Sequence, residues 1–130
     1  MRTLLKNSLT IVAAFWAAGI WAAEPAKLPK LIDLGADKCI PCKMMAPILK
    51  ELKSEYAGRF DVEFIDVWKD PTPGKQHKIQ LIPTQIFFDA SGKERFRHEG
   101  FFGKEDILAK WKELGVDLKC KPKICSMTST

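Results

Sequence analysis

The stretch Asp33-Leu34-Gly35-Ala36-Asp37-Lys38-Cys39-Ile40-Pro41-Cys42-Lys43 decides how the chain is read. Residues 31–36 read as a short buried strand. Beyond Cys42 the apolar positions Met45, Ile48, Leu49, Leu52 and Tyr56 keep the three-and-four spacing of one helical face. Two cysteines separated by Ile40 and Pro41 therefore sit where a buried strand gives way to a helix, Cys39 at the helix N-terminus and Cys42 one turn further in. The exposed N–H groups and dipole at that end stabilise a thiolate on Cys39, and the thiolate is the form of cysteine that attacks disulfides. Lys38 adds an adjacent positive charge, which lowers the proton affinity of that thiol further. Pro41 suits the first helical turn, where its missing N–H is not needed.

Working outward, Phe60 to Val67 reads as a second strand, and the strand–helix–strand order makes a right-handed crossover with parallel strands. Gly58 stands where the helix would stop, and Pro47 inside it should kink it. The loop from Trp68 to Lys78 carries Asp70-Pro71-Thr72-Pro73-Gly74, with a short helical turn expected after Gly74. Thr84–Asp89 and Lys93–His98 flank Ala90-Ser91-Gly92 and read as a β-hairpin. A last helix is expected from Lys104 to Leu114, with Ile107, Leu108, Trp111 and Leu114 inward, Glu105 and Asp106 at its positive end and Gly115 as its stop. The class is α/β with a mixed central sheet.

The chain has 130 residues, 46% hydrophobic and 28% charged, which suits one globular domain and excludes a disordered tail or a multi-span membrane protein. Arg2 and Lys6 precede a largely apolar run, Leu9 to Ala23, and Pro25 then breaks the pattern. This is the layout of an export signal, too short at fifteen residues for a comfortable bilayer span of about 20. Residues 1–23 are thus expected to be a cleaved signal or, as the less favoured reading that Trp21 at a lipid interface would suit, an anchor tethering the protein through residues 8–23. Residues 24–116 make the domain and 117–130 a lysine- and cysteine-containing tail, and the expected location is periplasmic or otherwise extracytoplasmic. Two of the 21 Lys and Arg residues fall in the leader, which leaves the remainder near +3 with charges of both signs interleaved. Outside Lys119, Lys121 and Lys123 there is no basic stripe, so nucleic acid is not an expected partner. In an oxidising compartment the spacing of the four cysteines suggests the pairs Cys39–Cys42 and Cys120–Cys125.

From about Lys30 to Gly115 the chain resembles the thioredoxin family. The resemblance rests on Cys39-Ile40-Pro41-Cys42 followed by Lys43, the helix proline Pro47, Ile82-Pro83-Thr84 opening a strand, and Gly100 after the hairpin. It implies a minimal thioredoxin-like fold and a thiol:disulfide oxidoreductase acting on protein or peptide disulfides, recycled by a membrane or soluble redox partner. It implies no cofactor beyond the Cys39–Cys42 pair and no metal. By the same resemblance Cys39 attacks, Cys42 resolves, Pro83 has a cis peptide bond beside the active disulfide, and Asp33 is a buried carboxylate assisting proton transfer at Cys42. The residues point to Asp33 independently: an acid at an apolar strand position is desolvated and its pKa rises toward the range useful to a general base. The alternation of a strand also permits an outward Asp33, though a sheet covered on both faces favours burial.

The family commonly has a tryptophan where this chain has Lys38, another aromatic where it has Gly35, and a lysine about where it has Phe64. Only residues 24–30 precede the first core strand, too few for the extra strand and helix of full-length members. Ile40, Pro41, Ile82, Pro83 and Phe101 are expected to form a shallow docking surface for an extended segment, held by backbone bonds beside Ile82. One of Phe101 and Phe102 should instead be core. Cys120 and Cys125 read as a small structural disulfide turned by Pro122, or alternatively as a second redox pair. His77 and His98 read as surface residues, Met44 as outward and Trp68 as packed. The rival function is a cysteine-based zinc or copper(I) protein, against which stand the 77 residues between the cysteine pairs. Electron direction stays open: the proline before Cys42 resembles reducing members, whereas Lys38 stabilises the dithiol and raises the potential.

Overall fold

The computed structural model describes residues 27–119. Its elements in chain order are β1 (Lys30–Gly35), α1 (Ile40–Glu55), β2 (Asp61–Asp66), α2 (Thr72–Gln76), β3 (Thr84–Phe88), β4 (Glu94–Glu99) and α3 (Lys104–Glu113). The four strands form one mixed sheet in the order β2-β1-β3-β4. β1 is parallel to β2, as the crossover requires, and antiparallel to β3, which pairs antiparallel with β4. The α/β class and the mixed sheet expected from the sequence are the ones observed.

Strand alternation splits the apolar residues between two layers. On one face Leu31, Val62 and Phe87 pack with Met45, Leu49 and Leu52 of α1 and Ile107 and Trp111 of α3. Phe60 and Phe87 hold the Trp111 ring between them, with centroids at 5.0 and 4.8 Å. On the other face Ile32, Leu34 and Ile86 meet Ile65, Val67, Ile79 and Phe88. β1 is central and covered on both sides, which is why residues 31–36 are buried without exception.

Several local expectations need correction. α1 ends at Glu55, three residues before Gly58, whose φ of +81° serves the following turn. α2 begins at Thr72 and contains Gly74 instead of following it, because the Asp70 carboxylate accepts the Thr72 N–H at 2.9 Å and two prolines supply helical φ values in the first turn. Trp68 is 61% exposed, not packed. The Asp66 carboxylate accepts the N–H groups of Trp68, Lys69 and Asp37 at 2.9 to 3.2 Å and turns the chain outward there. His98 is half-buried, stacked 4.2 Å from Phe102 with Nε2 3.2 Å from the Phe101 carbonyl, and His77 is half-buried beside Phe88. Met44 does face out, and of the two adjacent phenylalanines Phe101 is exposed while Phe102 packs on the core.

Candidate active site

β1 runs to Gly35, and a four-residue connection delivers the chain to α1 with Cys39 at its N-cap. Cys39 has extended backbone angles there, its N–H donates to the Ala36 carbonyl at 3.2 Å, and its carbonyl accepts the first helical bond from Lys43 at 3.0 Å. Pro41 occupies the first turn as expected. Cys39 and Cys42 are joined in a disulfide with Cα atoms 5.2 Å apart, inside the range one bridge spans without moving backbone. Their environments differ. Cys39 is partly open to solvent and Cys42 is 3% exposed, because one helical turn carries the second sulfur beneath the helix, against the sheet.

The sheet surface under Cys42 is built from alternate residues of three strands. β1 presents Leu31, Asp33 and Gly35 toward α1, and its neighbours in register at Asp33 are Phe64 of β2 and Gln85 of β3. Asp33 is fully buried. Its Oδ1 accepts a hydrogen bond from Gln85 Nε2 at 2.7 Å, while Oδ2 has no hydrogen-bond partner among the described residues. Burial pushes the carboxyl up from an ordinary 3.8 to about 6, with the Gln85 bond pulling the other way. Gly35 is two residues further along the same face, about 7 Å on, and lies directly under the disulfide. A Cβ on it would meet Phe64 Cε2 at 3.0 Å and Cys42 Sγ at 3.1 Å. Phe64 also joins Cys42, Ala36, Ala46, Leu49 and Val62 in lining a cleft of about 390 Å³ rimmed by Lys43, Lys50 and Lys53.

The Ile82–Pro83 bond is cis. Thr84 pairs with Leu34, so one step further along the register Pro83 reaches the end of β1 from which the Cys39 connection departs. Pro83 itself is buried, Ile82 is half-buried, and the Pro83 carbonyl accepts the Gly100 N–H at 2.7 Å. Ile40 is 74% exposed, Pro41 is exposed, and Lys38 is exposed with no ion pair among the described residues. Leu81, 53% exposed beside Ile82, was missed by sequence reasoning. So was Gln85: a glutamine inside the apolar run Thr84–Phe88 was the available signal, but the partner depends on cross-strand register. Cys120 and Cys125 lie outside the described residues. Among those described there is no group of three or more His, Cys, Asp or Glu placed to hold a metal ion, and no helix long and apolar enough to cross a membrane.

Residues 7–113 match the family model described as Thioredoxin. Over 78 residues the chain is 38% identical to a thioredoxin of Staphylococcus epidermidis, covering 60% of this chain and 74% of that one. A thioredoxin of Staphylococcus aureus is 37% identical over 78 residues with the same coverage. A solved structure described as "Structure of a malarial protein" superposes with a TM-score of 0.62 at 20% identity, covering 67% of this chain and 97% of that one, a likeness of fold alone. A mixed sheet carrying a bonded cysteine pair at a helix N-terminus defines a thiol:disulfide oxidoreductase whose redox group is its own disulfide, with no cofactor required. The chain belongs to the thioredoxin family.

Proposed function

We propose that this is an exported thioredoxin-family enzyme that exchanges disulfides of protein or peptide substrates, with Cys39 as nucleophile, Cys42 as resolving cysteine and Asp33 as proton acceptor. The observation that carries the assignment is the asymmetry of the pair: one sulfur reaches solvent at a helix N-terminus, and the other is buried against the sheet face that also carries a buried acid. In the reducing direction the Cys39 thiolate attacks one sulfur of a substrate disulfide. A Cys39–substrate disulfide forms and the other substrate sulfur leaves as a thiolate. Cys42 then gives its proton to Asp33 and attacks the Cys39 sulfur, the mixed disulfide breaks, and the second substrate sulfur departs with the bonding electron pair. The enzyme dithiol has become a disulfide and the substrate disulfide two thiols. The reverse sequence oxidises a dithiol substrate.

Lys38, beside Cys39, favours the thiolate. Ile40, Pro41 and Ile82 supply apolar contact to an extended substrate segment whose backbone pairs beside Ile82, while buried Pro83 shapes the floor. The positively charged and apolar leader argues for export, the Cys120–Cys125 pair for a structural disulfide in the tail, and a membrane-bound or soluble redox partner for recycling of the Cys39–Cys42 bond. The test is trapping in the exporting host: Cys42→Ser accumulates mixed disulfides on Cys39, while Cys39→Ser accumulates none and loses insulin reduction. Full activity of Cys39→Ser would overturn the assignment, and activity confined to the cytosolic fraction would overturn export.

A further inference from the structure

The disulfide chemistry leaves the buried amide beside Asp33 unaccounted for. Gln85 is fully buried on β3, directly opposite Asp33 in the antiparallel register, and spends one amide N–H on Asp33 Oδ1 at 2.7 Å. Burying an amide is costly unless its polar atoms are bonded, yet Gln85 Oε1 has no partner among the described residues. A leucine or isoleucine there would pack against Phe87 and its neighbours without that cost. The orientation is set by chemistry: an ionised carboxylate only accepts, so the amide must present its nitrogen to Asp33. The bond also survives protonation. A proton on Oδ2 leaves Oδ1 an acceptor, so Gln85 holds the carboxyl in one pose in both charge states and leaves Oδ2 as the oxygen that gains and loses the proton.

We propose that Gln85 is a positioning residue for disulfide resolution: it anchors Asp33 through Oδ1 and thereby keeps Oδ2 available to take the proton of Cys42. The proposal rests on the reading of Asp33 as proton acceptor. The neighbouring groups make it testable by pH. Phe64 from β2 and Gln85 from β3 are neutral, Cys42 of α1 sits over Gly35, the next residue on the Asp33 face of β1, and the carboxyl responds to burial and to Gln85 with no charged partner contributing.

The experiment follows release of substrate thiol from a preformed Cys39 mixed disulfide across about pH 4 to 9. It compares the parent, Gln85→Met, Asp33→Asn and the double variant, with Gln85→Leu replacing Gln85→Met if the latter folds poorly. Loss of the amide donor removes a bond that favours the charged carboxylate, so Gln85→Met moves the midpoint of the acid limb upward by about one pH unit and slows release roughly tenfold below that midpoint. Asp33→Asn abolishes the limb, and adding Gln85→Met to it changes the profile no further. Titration of the Asp33 carboxyl carbon by NMR shows the same upward displacement in Gln85→Met. If Asp33→Asn abolishes the limb while Gln85→Met leaves the midpoint in place, the positioning role is overturned and the proton acceptor stands. If Asp33→Asn leaves the limb intact, the reading beneath the proposal falls with it.

Discussion

Gly35 has no side chain, and the ring of Phe64 takes the space a side chain would need: a Cβ on residue 35 would stand 3.0 Å from Phe64 Cε2 and 3.1 Å from Cys42 Sγ. The two residues, one on β1 and one on β2, meet beside the inner cysteine. The small residue lets an aromatic ring close over the inner cysteine from the β2 side. Gly35→Ala gains a little from a stiffer unfolded chain but overpacks this contact, for a net loss of about 1 kcal/mol in urea unfolding. Phe64→Leu in the same molecule restores the part of it that comes from the ring, the contact with Cys42 remaining. Additive losses in the double variant would show that the two positions are not coupled.

Asp33 gives a stability signature with a definite sign. Folded, it keeps its proton to about pH 6, whereas the ordinary carboxyl releases it near 3.8. Between those values the native state binds the more protons, so its stability falls as pH rises, by about 3 kcal/mol once both carboxyls are ionised. Asp33→Asn removes this loss. The oxidised variant is expected to be roughly 2–3 kcal/mol more stable than the parent at about pH 8 and nearly equal to it at about pH 4. Denaturant titrations at the two pH values measure it, and parallel stability curves would contradict it.

The core has a single aromatic centre. Trp111 is 1% exposed and packs on Phe60 and Phe87, and its indole N–H has no partner among the described residues. Trp111→Ala empties that space and costs about 3–5 kcal/mol. Trp111→Phe keeps a ring and removes the unpaired donor, so its cost falls to about 1 kcal/mol or less. Thermal unfolding separates the two, and equal losses would mean that the indole N–H contributes a bond of its own.

What the sequence made legible was whatever depends on neighbours in the chain. The junction at Cys39 follows from a short apolar run meeting a helical period, and the burial of Asp33 follows from an acid within that run. The hairpin around Gly92 follows from two alternating segments and a turn. What stayed hidden depends on register between strands. Gln85 reaches Asp33 across β1 and β3, 52 positions apart, and Phe64 reaches Gly35 and Cys42 across β1 and β2. Trp68 failed for a related reason. Apolar bulk predicts packing, but the Asp66 carboxylate turns the backbone outward before the indole can reach the sheet.

The mechanism requires Cys39 to be an ionised, accessible nucleophile and Cys42 a shielded partner. Alkylation of the reduced protein by iodoacetamide as a function of pH, with each cysteine located by mass spectrometry, tests it directly. Cys39 is expected to react first, with an apparent pKa below the ordinary cysteine value of about 8.5, while Cys42 stays unmodified until far higher pH. A Cys39 that titrates at about 8.5 or above, or two cysteines that react at equal rates, would contradict it.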